Sequence, residues 1–263
     1  MTTDAVTSTP LRPAAQGDAD GRAAAEIATA AGELLLAHLM ELEREGVDPA
    51  DVRKAGDRLS HEFLVATLGE RFPGDAVLSE EGADDLDRLG ADRVWIVDPL
   101  DGTREFGEPG RTDWAVHVAL VEGGELVAGA VAMPALGVTF STADAAAPHP
   151  PLPAAPRVVV SRTRRPEPVM TMATALGAEL IEMGSAGAKA MAVVRGEADV
   201  YAHAGGQYEW DSAAPVAVAR AAELHVSRID GSELHYNQRS PWLPDLLICR
   251  PELAGTVLEE LRR

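Results

Sequence analysis

At 263 residues, 46% apolar and 25% charged, the chain can bury a sizeable core as one large domain or two smaller ones, with the profile of a soluble globular protein. Its formal charge of -19 argues against nucleic acid or an anionic membrane as a main partner, though not against a small anionic substrate, because a bound divalent cation reverses the local field. One cysteine, Cys249 in DLLICRP, excludes an internal disulfide, reads as a small buried hydrophobe and gives no reason to expect an oxidising compartment.

Residues 1–18, rich in Pro, Thr, Ala and Asp, lack the basic and apolar regions of a signal peptide and are expected to form a flexible leader. No apolar run approaches the roughly 18 residues of a membrane span, so a cytoplasmic protein is expected. Ile27, Ala31, Leu34, Leu35, His38 and Leu42 share one face at a spacing of three to four, which predicts a helix over Asp20–Glu43. A second amphipathic helix is expected over Asp57–Phe72, then a turn and a short strand at Ala76–Leu78. Val94–Val97 is a continuous apolar run, read as a buried strand that Pro99 should stop. Ala115–Thr142 reads as an antiparallel meander with strands near 115–122, 125–133 and 136–142.

The proline-rich block Ala145–Pro156 reads as a link between a domain at 19–150 and another at 151–263. Beyond it strands alternate with helices. RVVVS, AELIEM, ADVYAH, ELHVSR and DLLIC are strands; Glu167–Leu176, Gly187–Val194, Asp211–Ala222 and Pro251–Arg263 are helices. This alternation predicts an α/β layer.

Acidic residues fall at the breaks between these elements. Glu80 and Glu81 follow AVL, Asp98 and Asp101 follow VWIV, and Asp211 opens an alanine-rich helix. Strand ends and helix starts are where α/β folds place their sites. Carboxylates without nearby His or Cys suit magnesium or calcium rather than zinc. Gly102 allows close backbone approach to a ligand, and a short helix beginning at Thr103–Arg104 would present free N–H groups to a phosphate. Together these features describe metal-assisted hydrolysis of a phosphate ester. Phosphatases of the haloacid-dehalogenase type carry Asp-x-Asp-Gly-Thr; Asp98-Pro99-Leu100-Asp101 is one residue too long for that nucleophile–acid pair. Of the 23 basic residues only Lys54 and Lys189 are lysines, so either could mark a place that needs a compact point charge.

WIVDPLDGTREF combined with EWDSAAPVAVARAAE resembles the inositol monophosphatase superfamily. PGDAVLSEEG, DWAVHVAL, GSAGAKAMAVVRGEADVYAHAGGQYEWDSAAP and LHYNQRSPWLPDLLICR extend the likeness from Phe72 onward, toward the CysQ-type 3'(2'),5'-bisphosphate nucleotidases and their actinobacterial branch.

The resemblance implies an αβαβα sandwich and a lithium-sensitive, magnesium-dependent phosphatase, expected as a homodimer. Glu80, Asp98, Asp101, Asp211 and the Leu100 carbonyl would hold two or three Mg2+, with Glu81 beside them or on a third ion. Gly102 and Thr103 would hold the scissile phosphate, and Asp57 would pair with Thr103 to activate water, as an Asp near the start of the second helix does in the family. The usual Val-Thr-x-x-Asp lead-in is replaced here by Arg53-Lys54-Ala55-Gly56-Asp57. Lys189, seven residues before Gly196 as in the nucleotidases, would bind a second phosphate, with Ser185 and Gly187 shaping that pocket. His203 sits where some nucleotidases have an arginine. Inositol phosphatases carry a Glu seven residues before the last metal Asp; here that position is Ala204. The implied reaction is hydrolysis of 3'-phosphoadenosine 5'-phosphate to AMP in sulfur metabolism. The alternatives are a broader inositol or fructose-1,6-bisphosphate phosphatase, or a non-catalytic acidic binding protein that retains the fold.

Overall fold

A computed structural model describes residues 14–144 and 149–263. The first helix, α1, starts at Ala14 and runs to Glu45, so the last five residues expected in the leader are helical; residues 1–13 and Ala145–Pro148 of the expected link lie outside the described residues. α2 spans Pro49–Arg71, eight residues earlier than the apolar pattern indicated. The Asp48 side chain accepts the Ala50 N–H at 2.8 Å and Pro49 sits in the first turn, a strong helix start.

Two five-stranded sheets follow. The first comprises β1 (Ala76–Ser79), β2 (Arg93–Asp101), β3 (Ala115–Glu122), β4 (Glu125–Met133) and β5 (Val138–Ser141), in that spatial order; β1–β2 is parallel and the rest antiparallel. A one-turn helix, α3 (Thr103–Phe106), leaves β2. The second sheet holds β6 (Arg157–Ser161), β7 (Glu179–Met183), β8 (Val200–Tyr208), β9 (His225–Ser227) and β10 (Trp242–Cys249), ordered β7-β6-β8-β10-β9. Its helices are α4 (Glu167–Ala175), α5 (Ala186–Val194), α6 (Glu209–Ala221) and α7 (Pro251–Leu261).

Three apolar clusters glue five layers. Ile27, Ala31 and Leu35 of α1 and Leu64 and Leu68 of α2 bury against Trp95, Val97, Val118 and Leu120 on one face of the first sheet. Val94, Ile96 and Val131 on its other face meet Met191 of α5 and Val216 of α6, which pack on Tyr201, Leu246 and Ile248 of the second sheet. Val158, Val200 and Leu247 on that sheet's far face are covered by Met172 of α4 and Val257 of α7. The order is therefore αβαβα, with α5 and α6 in the middle layer. Cys249 is fully buried, and burial pushes its thiol up to about 12.

Two expectations are corrected. β2 continues through Pro99 to Asp101. Its last β1 partner is Val97, opposite Ser79, and its register with β3 jumps from Asp98↔His117 to Asp101↔Ala115, a one-residue bulge. Pro99 lies in that bulge, beyond β1, where no ladder donor is required. The second correction concerns α1. Its stretch Ala19–Glu45 has an 18-residue window of mean hydropathy 1.3, long and apolar enough to cross a bilayer by composition. Here Ala24, Ile27, Ala28, Ala31 and Leu35 instead face the first sheet with essentially no exposure.

Candidate active site

β2 delivers Asp98 and Asp101 to the end of the first sheet, and the first turn of α6 delivers Asp211. One carboxylate oxygen from each lies within 4.8 Å of the other two. Glu80, just past the end of β1, comes within hydrogen-bonding reach of Asp98. The sequence thus located four acids that the fold brings together from three elements. Asp98 is buried and accepts the Leu100 N–H at 3.0 Å; Asp211 accepts the Tyr208 N–H at 2.6 Å.

Burial dominates their electrostatics, and mutual repulsion adds to it. Desolvation and then Asp211 push Glu80 up to about 7. Burial and Asp101 push Asp211 up to about 6, and burial with Glu80 raises Asp98 well above the carboxylate range. His117 and Lys189 draw Asp211 down, but not enough to offset burial and its acidic neighbour. The donors are hard oxygens only, so the cage fits an oxygen-seeking divalent cation.

Asp101 differs. Burial works to raise it, but His117, Lys189 and Ser185 outweigh that and hold its carboxyl below the usual range. Its oxygens accept Ser185 Oγ at 2.5 Å, Ala186 N at 3.1 Å and Gly187 N at 2.6 Å. Ser185 and Gly187 are therefore occupied with orienting a cage acid. Ser185 also lines the cleft, whereas a Cβ on Gly187 would stand 2.1 Å from His117 Nε2.

His117 is the principal residue the sequence reading missed. Its Nδ1 is 3.0 Å from the Trp210 carbonyl, and its Nε2 is 3.2 Å from Asp101 Oδ2. Burial would lower its pKa, but Asp101 and the Trp210 carbonyl more than offset this and raise it. A lone histidine inside the apolar strand AVHVALV was the available signal. Asp113 and Glu105 were missed too: Asp113 accepts the Gly184 N–H at 2.6 Å, and Glu105 is buried and bonded to Arg162 at 2.5 Å, so both brace the turn that carries Ser185.

Thr103 Oγ1 lies 3.2 Å from Asp57 Oδ1 and 3.0 Å from the Leu100 carbonyl. Asp57 sits two turns into α2 rather than near its start. Burial and the neighbouring Glu81 raise it to about 6, against the Thr103 hydrogen bond and Arg53. Glu81 itself is exposed, beside Glu80. Gly102 has φ +87° and a Cβ there would be 3.1 Å from the Asp113 carbonyl, so the turn needs glycine. α3 is a single turn, too short for a substantial dipole; what it can offer a phosphate is its first N–H groups and the Thr103 hydroxyl.

A cleft of about 450 Å³ opens beside the cage. Lys189 is buried on its wall, donating to the Ser185 carbonyl at 2.6 Å and to the Gly184 carbonyl. Two of its three ammonium donors are thus used, and burial lowers its pKa against the pull of Asp101, Glu105, Asp211 and Asp113. Lys54 is exposed on α2, so lysine scarcity marked one position and not the other. His203 also lines the cleft, its Nε2 2.8 Å from the Gly206 carbonyl, and burial lowers its pKa. Ala204 packs with the outer face of the second sheet.

The family model described as the inositol monophosphatase family matches residues 19–263. The chain is 50% identical over 257 residues to the 3'-phosphoadenosine 5'-phosphate phosphatase of Mycobacterium leprae, covering 92% of this chain and 93% of that protein. It is 30% identical to the 3'(2'),5'-bisphosphate nucleotidase CysQ of Escherichia coli, over 76% of this chain and 88% of that one. The crystal structure of CysQ from Bacteroides thetaiotaomicron superposes with a TM-score of 0.68 at 28% identity, over 89% of this chain and 97% of that chain.

Proposed function

The chain belongs to the inositol monophosphatase family, and we propose that within it the protein is a 3'-phosphoadenosine 5'-phosphate phosphatase that releases AMP and phosphate. One observation carries the substrate choice: the carboxylate cage and the buried Lys189 ammonium line one cleft, so a single ligand can place one phosphate at each. Glu80, Asp98, Asp101, Asp211 and the Leu100 carbonyl would hold two or three magnesium ions. When bound, such ions lower the pKa of water and neutralise charge on the phosphate and leaving oxygen.

The protein's own groups do the rest. Thr103 takes a proton from the attacking water while its own hydroxyl proton passes toward Asp57, whose pKa of about 6 leaves it ionised at neutral pH. Ser185, Ala186 and Gly187 fix Asp101, and His117 supplies the charge that keeps it ionised. Lys189 has one ammonium donor left for the phosphate that is not cleaved. Ala204 packs on the outer face of the second sheet, so that position offers the cleft no group of its own. A cytoplasmic homodimer is part of this reading.

Phosphate release from 3'-phosphoadenosine 5'-phosphate, inositol 1-phosphate and fructose 1,6-bisphosphate, with and without magnesium, tests it. The highest kcat/KM belongs to the nucleotide, and only with magnesium. A higher value on either of the other two overturns the substrate assignment, and phosphate release at full rate in EDTA overturns the metal chemistry.

A further inference from the structure

The mouth of the cleft carries features that the cage and Lys189 leave unused. Trp242 is 52% exposed and Tyr208 47%, unusual for large aromatic side chains, and both line the cleft. They are direct register partners across β8 and β10, so their side chains are neighbours. Both are backed on one side. Tyr208 stacks on Trp210 with ring centroids 4.8 Å apart and 8° between planes. Trp242 lies against the bare backbone of Gly206, where a Cβ would be 2.7 Å from the indole Nε1. Gly206 has φ +92°, so both its conformation and its lack of a side chain serve this approach.

A second observation points to a ligand. Gln207, immediately before Tyr208 in β8, also lines the cleft and is 7% exposed, yet neither its amide nitrogen nor its amide oxygen has a hydrogen-bond partner among the described residues. Buried polar atoms left in this state are costly, and groups of this kind find their partner in a ligand or water. A glutamine amide offers one donor and one acceptor side by side, the complement of the amine and ring nitrogen on an adenine edge. Platform and cage are also physically joined, because the Tyr208 N–H bonds the Asp211 carboxylate at 2.6 Å.

We propose that Trp242 and Tyr208 form a stacking platform for the purine base of the nucleotide substrate, and that the Gln207 amide reads its adenine edge. The proposal rests on the nucleotide reading above. Base–aromatic stacking tolerates any planar ring, so the platform selects nucleotides over sugar phosphates, while Gln207 selects adenine among purines.

The test measures kcat/KM on 3'-phosphoadenosine 5'-phosphate, its hypoxanthine analogue and fructose 1,6-bisphosphate. In Trp242→Ala the ratio of adenine nucleotide to fructose bisphosphate falls about 10-fold, and Trp242→Phe restores most of it. In Gln207→Met the preference for adenine over hypoxanthine disappears. Quenching of tryptophan fluorescence by AMP, seen in the wild type, is lost in Trp242→Phe. A wild type that does not hydrolyse the adenine nucleotide overturns both the functional reading and the platform. A wild type that does, with equal losses on both substrates in Trp242→Ala, overturns the platform alone. An adenine preference that survives in Gln207→Met overturns the amide's role.

Discussion

The Thr103 hydroxyl lies 3.2 Å from Asp57 Oδ1, linking the middle of α2 to the first turn of α3 at the edge of the acid cage. If this pair moves the water's proton, Thr103→Ser keeps most turnover, and Thr103→Ala and Asp57→Asn each lose on the order of 10²–10⁴-fold in kcat. Burial and Glu81 place Asp57 at about 6, and its ionised form is the active one. The wild-type rate therefore rises as pH passes through about 6. Residual Asp57→Asn activity lacks that acidic limb. A pH–rate profile for both proteins checks it, and an unchanged limb in Asp57→Asn assigns the titration elsewhere.

Asp98 is the most deeply buried of the repelling acids, which gives Asp98→Asn two opposite effects. Turnover at saturating magnesium falls below a tenth of wild type. In EDTA at pH 8 the variant melts a few degrees higher than wild type, because a buried carboxyl that Glu80, Asp101 and Asp211 repel has been removed. Lithium inhibits the wild type, and calcium competes, since calcium relaxes the octahedral geometry magnesium demands. An Asp98→Asn protein that is active, or less stable in EDTA, contradicts the cage.

The metal-free protein has an unusual pH dependence. Glu80 at about 7 and Asp211 at about 6 lie above their ordinary values of 4.5 and 3.8. Between about pH 4 and 7 the unfolded chain gives up these protons first, so the folded state binds more protons and stability declines as pH rises. The decline continues through the Glu80 value and levels off only about a unit above it. Saturating magnesium flattens the slope, because it binds the ionised cage of the folded state. Melting temperatures across this range, with EDTA and with magnesium, test it; a slope that magnesium leaves unaltered counts against it.

Lys189→Ala lowers kcat/KM on the bisphosphate nucleotide by about 10- to 100-fold, the worth of a charge-assisted hydrogen bond in a partly dry pocket. Lys189 also ties the carbonyls of Gly184 and Ser185, in the turn that orients Asp101. Part of the loss therefore reaches inositol 1-phosphate as well. The informative quantity is the extra loss on the nucleotide, and its absence removes Lys189 from substrate recognition.

Replacing Gly187 by alanine sets a Cβ 2.1 Å from His117 Nε2 in a fully buried site. His117 must move off Asp101, which costs roughly 1–3 kcal/mol of stability and weakens magnesium affinity. Thermal melting and magnesium titration report the two effects separately. A wild-type magnesium titration in Gly187→Ala would show that His117 does not support the cage.

Periodicity made the alternating strands and helices of the second half legible, and the acids at element ends located the cage before any geometry was known. What escaped has specific causes. The start of α2 was misplaced because Val52 is the only large apolar residue in its first two turns; the Asp48–Pro49 cap was the better guide. His117 stood out only as a lone histidine in an apolar strand, which does not announce what faces it; the β2–β3 register sets it opposite Asp98. Ser185 and Gly187 were assigned to the pocket, but sequence cannot tell a residue that meets a ligand from one that holds the acid beside it. Trp242 and Gln207 gave no signal, since exposure and an unpaired amide exist only after folding.

The bulge in β2 turns the spacing of the acidic pair into a matter of counting. Side chains on a regular strand alternate in direction, so residues three apart point to opposite sides of a sheet. The extra residue at Pro99–Leu100 reverses that parity, and Asp98 and Asp101 arrive on the same side. Substituting Pro99 would be a local disturbance. Deleting it would leave the acids two apart on a regular strand, still on one side, but without the bulge that seats Leu100 between them. Descent can therefore revise the letters of this segment more freely than its length, and splicing between relatives is safe only at junctions that leave the interval whole.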